Sequence, residues 1–499
     1  MQAFDRHDVT VLLGCAAYLY ASLFANPETP YLLGGDQVSF WMFAQRMLHG
    51  EQIYRDFFQF TPPGTDLVYL IVFKLFGPRI WTTNLVVLLL GVALCLLCWR
   101  IARSIMPRPE AALATSLYLV FVIGGTLNGT HHLFSLLAVL SAVALLMEGR
   151  AWMRVVLAGA LLGLATFFTQ TRGPVAALGI AGWLTWEKFR LDEPWSRCLR
   201  RQGLLFATLV LMWLALSSHY IATVGLRQLW FFQVTYVREY MVTGWDASIG
   251  SPEARPYGAL VFLVRWLFGY ALLPTVYVIC FWKCWKLQQA VPCDNAARVA
   301  LLTAVGATLW VEVAQSPTWF RLFCVSMPGV ILLIWLLPAA GKITYSLTRV
   351  LWIGVIGLAA HQMWSKHLSY TVVQQLPAGR IALGPLWAEK SGWLVAHTKP
   401  GEFVLQAENP KMYLPLGLRN PIFLDVVNSD SASTLGYLAL SIRQLEEKQV
   451  KFIVETPAYS APSFHEYLLD HYRLVWRFSD RDEIWERKPS ATVPDKQQF

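Results

Sequence analysis

Charge is what this sequence has least of. Asp, Glu, Lys and Arg make up 15% of its 499 residues, against 56% hydrophobic residues and a mean hydropathy of +0.43. An ordinary water-soluble domain carries about a quarter of its residues as charges, so a soluble protein is excluded. Cysteine is scarce and unevenly placed. Cys15, Cys95, Cys98, Cys280 and Cys324 fall in apolar runs, Cys198, Cys284 and Cys293 lie in or beside basic loops, and none follows Cys324. The C-terminal region therefore does not depend on disulfides, even in an oxidising compartment. Cys95-Leu-Leu-Cys98 has redox spacing, but inside an apolar run it reads as packing. Also missing are a Gly-rich phosphate loop, an HExxH zinc motif and any long internal repeat.

What the chain has in abundance is long apolar runs. A helix crosses the hydrocarbon core with about 20 mostly apolar residues. Runs meeting or approaching that length begin near Val9, Pro78, Ala111, His131, Met153, Pro174, Gly203, Tyr257, Ala297, Leu322 and Leu347. They predict about eleven spans in a mainly α, polytopic membrane protein. The first run meets no small-residue cleavage site and reads as a retained span rather than a signal peptide. Basic residues mark one set of alternate loops: Arg100, Arg103 and Arg108; Arg150 and Arg154; Lys188 to Arg201; Lys283 to Arg298; Lys342 and Arg349. That set is expected to be cytoplasmic, with the N-terminus inside and everything after about His361 outside. The formal net charge of +9 is mostly this topology signal, and nucleic acid is not an expected partner.

Three sizeable segments are expected outside the membrane. The first is the loop 26–77, with amphipathic helices over 36–49 and 66–76 that suit the membrane interface. The second, 225–256, is rich in aromatics yet carries Arg227, Arg238, Glu239, Asp246, Glu253 and Arg255. The third begins near Gln374, which sets a transmembrane domain over 1–373 and an external domain over 374–499. In the latter, helices are predicted at 385–398, 433–448 and 462–471, and strands at 402–407, 421–427 and 451–455. A closing hairpin follows, 474–478 with 483–486. Alternating strands and helices imply a small α/β domain.

The loop after the first span holds the most informative pattern: Gly35-Asp36, an amphipathic helix, Gly50-x-x-x-Tyr54-Arg55-Asp56, Pro62-Pro63, and an aliphatic stretch ending Leu75-Phe76-Gly77. It resembles the first external loop of the GT-C glycosyltransferases, in the bacterial branch of protein mannosyltransferases and the lipid A aminoarabinose transferase. The many spans and the terminal α/β domain extend the resemblance over most of the chain, while its motif content is concentrated in residues 34–77. It implies an inverting hexosyl- or pentosyltransferase of the bacterial inner membrane, taking a sugar from a polyprenyl-phosphate donor. The acceptor would be a lipid, glycan or protein, and the C-terminal domain would be periplasmic. Asp36 matches the family's essential acidic residue. Two positions depart from the aminoarabinose pattern: Thr61 stands where those enzymes have a Lys before the proline, and Gln37 follows the aspartate where they have a Glu. A different donor pocket and another phosphate cation follow from that.

The chemistry suits the assignment. Sugar transfer to a hydroxyl requires removal of its proton as the new bond forms, which a positioned carboxylate does. The departing phosphate needs cations, and Arg is well shaped to supply them. Arg55, Arg172, Arg265 and Arg321 are the candidates, with Gln170 beside Arg172. Arg265 lies inside a span, where charge is costly and often functional; its plain alternative is an ion pair with Glu312. Arg172 and Arg321 alternatively cap or anchor helix ends at the interface. Asp56, Tyr54, His131 and His132 are candidates for catalytic support or acceptor binding. Adjacent histidines do not share a helix face, which argues against a two-ligand metal site. No cofactor is required by the sequence; a divalent cation is compatible with the acidic residues, without ligand spacing specific to one. Asp36 alternatively caps the helix that follows it, for about 1 kcal/mol.

A transporter or flippase of lipid-linked sugars is the main rival reading. It predicts internal repeats and broken, charge-bearing helices near the midplane, whereas here the polar residues gather at the outer face.

Overall fold

The computed structural model describes residues 5–241, 267–288, 294–314, 318–337, 342–427 and 436–489. They form two compact units. One comprises Met1–Ala25, Phe60–Val68 and Asn84–Leu368; the other comprises Asn26–Gln59, Tyr69–Thr83 and Ser369–Phe499. Most of the loop that the sequence reading puts in the transmembrane domain thus groups with the C-terminal residues.

The first unit is helical. Five of its described helices are long and apolar enough to cross a membrane: 80–103, 108–126, 195–224, 267–286 and 295–314. Helices also occupy the predicted runs at Arg6–Leu23, His131–Met147, Trp152–Phe168, Arg172–Leu191, Met327–Leu336 and Lys342–Ser369, each shorter or more polar than those five. Gly159 and Gly163, four residues apart, let Trp152–Phe168 approach Trp195–Val224 closely. A Cβ on them would stand 2.5 Å from Leu205 O and 2.6 Å from Leu209 O. Small residues at that spacing are how helices pack where no water drives them together.

The second unit is mixed. Helix Gln37–Leu48 has no exposed residue along its length, and even Gln45 and Arg46 are buried. It leaves no exposed apolar stripe for lipid. Of helix Gly64–Phe76, the residues from Tyr69 on belong to this unit, and among them Ile71, Leu75 and Phe76 remain exposed as an apolar edge. The C-terminal residues build a four-stranded sheet in the order Val404–Gln406, Phe452–Glu455, Glu483–Arg487, Tyr472–Arg477. The first pair is parallel and the others antiparallel, with Ile453 opposite Trp485 and a register shift between Leu474 and Trp476. Helices Pro385–His397, Tyr437–Glu447 and Pro462–His471 accompany it.

Two predicted details change. A hairpin of Val372–Leu376 with Gly379–Leu383 precedes the first helix of this region, its turn made by Pro377, Ala378 and Gly379 at φ +115°. Residues 421–427 form no strand, because the loop takes their main-chain groups: Phe58 N donates to Phe423 O at 2.8 Å.

Candidate functional site

The site residues fall in both units. In the second unit, Asp36 is exposed at the start of helix Gln37–Leu48, where its backbone is already helical and its side chain makes no capping hydrogen bond. The capping alternative therefore has no geometric support. The following turn is held by Arg46. Its Nε meets Glu51 Oε2 at 2.7 Å, Nη1 donates to Ile422 O at 2.8 Å and Nη2 to Asp56 O at 3.1 Å. The same guanidinium lies 4.8 Å above the ring of Phe57, which stacks on Phe43 at 5.2 Å.

Arg55 and Asp56 bind each other. Arg55 Nε and Nη2 donate to the two Asp56 carboxylate oxygens at 3.0 and 2.8 Å, and Gln52 N donates to Asp56 Oδ2 at 2.8 Å. These bonds, Arg55 foremost, hold the Asp56 carboxyl below its ordinary value. An acidic carboxylate that already accepts three bonds is a poor base. Tyr54 is buried with φ +69°, a left-handed conformation that costs a non-glycine residue about 1 kcal/mol. It closes the turn through Tyr54 N donating to Phe57 O at 3.0 Å. Asp56, Arg55 and Tyr54 thus shape the loop.

In the first unit, the end of Trp152–Phe168 and the start of Arg172–Leu191 bring several candidates together. Gly173 permits the tight turn, since a Cβ there would stand 2.1 Å from Leu162 O. Arg172 is buried, with a side chain only 1% exposed. Its Nη1 lies 3.2 Å from Glu312 Oε2, while Nη2 contacts His132 Nδ1 at 3.3 Å. Arginine only donates, so His132 Nδ1 accepts and its proton sits on Nε2. Thr171 Oγ1 donates to the other oxygen of Glu312. The Arg172–Glu312 contact lacks hydrogen-bond alignment, and neither Nε nor Nη1 of Arg172 has a hydrogen-bond partner among the described residues.

The two histidine rings lie 3.9 Å apart, and His132 meets Phe320 edge-on at 5.5 Å. His131 Nδ1 is 2.9 Å from Thr169 Oγ1, which also reaches Ser135 Oγ at 3.0 Å. Gln170 Nε2 donates to Gln233 O at 3.0 Å. Arg321 sits in the first turn of Trp319–Val325, its backbone N capped by Thr318 Oγ1 at 3.3 Å.

Glu312, the alternative partner considered for Arg265, pairs with Arg172; Arg265 itself lies outside the described residues. Among the described residues no cluster of three or more His, Cys, Asp or Glu side chains could hold a metal ion. Sequence reasoning missed the roles of Arg46 and Thr169. Arg46 carried one signal, a lone cation on an otherwise apolar helix face. Thr169 carried none.

The comparisons with known proteins bear on this arrangement. Residues 61–220 match the family model of dolichyl-phosphate-mannose-protein mannosyltransferases. The match takes in Pro62-Pro63 and Arg172 but begins after Asp36. Among solved structures, ArnT from Cupriavidus metallidurans, bound to undecaprenyl phosphate, has a TM-score of 0.61 at 13% identity. It covers 97% of this chain and 98% of its own. The oligosaccharyltransferase of Archaeoglobus fulgidus, tethered with an acceptor peptide, has a TM-score of 0.54 at 12% identity, covering 97% of this chain and 74% of its own. No curated protein sequence matches the chain. The chain is a multi-pass membrane protein with the fold of the GT-C glycosyltransferase superfamily, the class that its loop motif resembles.

Proposed function

We propose that this protein is an inverting glycosyltransferase of the bacterial inner membrane that moves a hexose or pentose from a polyprenyl-phosphate carrier to a lipid, glycan or protein. One observation carries most of the reading: the fold likeness to ArnT, a protein solved with undecaprenyl phosphate, extends over nearly the whole of both chains. The family match over 61–220 supports the same donor class.

In this mechanism the acceptor oxygen attacks the anomeric carbon from the face opposite the phosphate. The carbon–oxygen bond to phosphate breaks, its electron pair leaves with the carrier monophosphate, and the acceptor proton passes to Asp36. Asp36 lies exposed at the start of its helix and makes no capping bond there, which supports that role. Arg172 is the cation assigned to the phosphate. It is buried, its Nε has no hydrogen-bond partner among the described residues, and it opens the 20-residue helix Arg172–Leu191, whose N-terminal dipole adds positive potential. His132, with its proton on Nε2, offers a neutral donor beside it, and Gln170 and His131 line the same turn. Arg265 and Arg321 are further phosphate ligands in this reading, while Asp56, Arg55 and Tyr54 support the loop.

The N-terminus is cytoplasmic and the C-terminal region external in this reading. Reporter fusions after Lys188 and Lys342 then score cytoplasmic, and one after Gln406 scores external. The functional test is transfer of labelled sugar from a synthetic polyprenyl-phosphate donor in membranes containing the full chain. Absence of transfer across a panel of hexosyl and pentosyl donors, with the carrier neither bound nor consumed, would sink the proposal.

A further inference from the structure

Lys411 follows Pro410 in the short turn Pro410–Met412, which Asn409 caps by accepting from Lys411 N at 3.2 Å. The residue is half-buried. Nζ stands 4.3 Å above the ring of Trp387, and a Cβ built on Gly34 would lie 3.5 Å from it. Gly34 precedes Asp36 by two residues, at most about 7 Å of chain. Among the described residues Lys411 Nζ has no hydrogen-bond acceptor and no carboxylate within ion-pair distance.

Its neighbour Lys390 makes the contrast. Lys390 also faces the Trp387 ring, at 4.7 Å, but it is compensated twice, by Asp480 at 2.5 Å and by Asp482. Lys411 instead feels the Lys390 charge, and burial together with that charge brings its amine down to about 8. A half-buried cation without a counter-charge is a place where an anionic ligand gains more than it would in open water.

We propose that Lys411 is a binding residue for a phosphate group of a substrate, held beside Asp36 by the 34–36 turn and the face of Trp387. This rests on the glycosyltransferase reading and adds to it a phosphate ligand from the C-terminal region. The phosphate comes either from the carrier lipid or from a free phosphate species in the water phase. The ligand supplies the missing negative charge, the amine donates up to three hydrogen bonds, and the tryptophan keeps the stem from swinging away.

The test uses the solubilised full chain as wild type, Lys411→Met and Lys411→Arg. Kd is measured for a polyprenyl monophosphate, for the same polyprenol without phosphate, and for inorganic phosphate. Lys411→Met keeps the apolar stem on Trp387 and removes an uncompensated charge, so its melting temperature should not fall. The expected result is at least a tenfold weaker Kd for the monophosphate in Lys411→Met, no change for the polyprenol, and recovery of most of the affinity in Lys411→Arg. The same Lys411 dependence seen with inorganic phosphate alone would assign the free source and still support the binding role. Equal phosphate affinity in wild type and Lys411→Met, on both probes, overturns it. A wild type that does not distinguish monophosphate from polyprenol removes the carrier reading, and Lys411 then stands or falls on the inorganic-phosphate arm.

Discussion

Arg46 donates from Nη1 to the main-chain oxygen of Ile422 at 2.8 Å, joining segments separated by 376 residues of sequence. Three further groups converge on the same guanidinium: Glu51, Asp56 O and the ring of Phe57. The loop that carries Asp36 and the C-terminal residues are thereby fixed to one another inside a single unit. Arg419 strengthens the junction with a second contact to Glu51 at 3.3 Å.

Arg46→Met should therefore unfold the second unit more readily than any surface change. It leaves Glu51 without its closest cation and two main-chain oxygens without donors, a loss of about 3–5 kcal/mol by the usual cost of breaking a buried pair. Arg46→Lys restores the charge but not the fork that serves three acceptors, and should recover less than half of that stability. Thermal melting of the solubilised chain measures both. A Met variant that melts with the wild type would show that the junction is held elsewhere.

Asp36→Asn separates chemistry from folding. Asn has nearly the same shape, and Asp36 makes no capping bond that the change could remove, so expression and melting should be unchanged. Sugar transfer should fall roughly 10²–10⁴-fold, the range for loss of a general base. Donor affinity should weaken far less than turnover, since the lost interaction matters as the acceptor proton leaves. Near-normal turnover in membranes normalised for protein would remove Asp36 from the mechanism. Asp56, already bound to Arg55, would be a weak replacement.

The parts of this architecture that were legible in the sequence are those written locally. Helix Pro462–His471 begins at a proline in its first position and stops where apolar periodicity ends, and it was predicted to the residue. Helix Gln37–Leu48 was placed within a residue at each end, but its partner was not. Apolar periodicity says that a face is buried, without saying whether lipid or protein covers it. Residues 421–427 read as a strand because Ile422, Phe423, Leu424, Val426 and Val427 have high β-propensity. Two of their main-chain oxygens are taken instead by Arg46, 376 residues away in sequence, and by Phe58, while Phe423 N donates to Gln444 Oε1 and Val427 N to Ala407 O; tertiary contacts override propensity. The site shows the same division. Asp36, Arg172 and the His131-His132 pair stood out singly as polar residues at the outer ends of apolar runs. The pairing of Arg172 with Glu312 could not be read, because Arg265, in a span of its own, was an equal candidate for the same carboxylate.

That pairing makes a kinetic prediction. Arg172→Gln should raise the donor KM at least tenfold, because the phosphate loses a charge-assisted partner worth about 1.5–3 kcal/mol. Glu312→Gln removes the competing carboxylate and leaves the guanidinium, so the donor KM should hold or fall while the melting temperature drops. Thr171 can still donate to the amide oxygen, which limits the structural damage. Equal rises in KM for both variants would mean that the pair acts as a structural unit and not as a phosphate site.

The last prediction concerns acidity in the C-terminal region. Glu408 Oε2 accepts from Thr456 N at 2.7 Å, whereas its Oε1 is buried without a partner. Burial is the main reason that its carboxyl rises from 4.5 to about 9, with the charges of Glu455 and Asp482 adding to it. The folded chain thus holds this proton more tightly than the unfolded chain does. Its contribution to stability is complete below about 4.5 and is lost as pH rises through about 9. Glu408→Gln keeps an acceptor for Thr456 N and cannot ionise, so it escapes that loss. The variant should melt with the wild type at pH 4. At pH 8 it should melt measurably higher than the wild type. Melting curves of both proteins across this pH range decide the matter. An equal shift at both ends would mean that the amide improves packing and that the carboxyl is not held protonated. A lower melting temperature at pH 8 would mean that the ionised carboxylate has a cation partner in the fold.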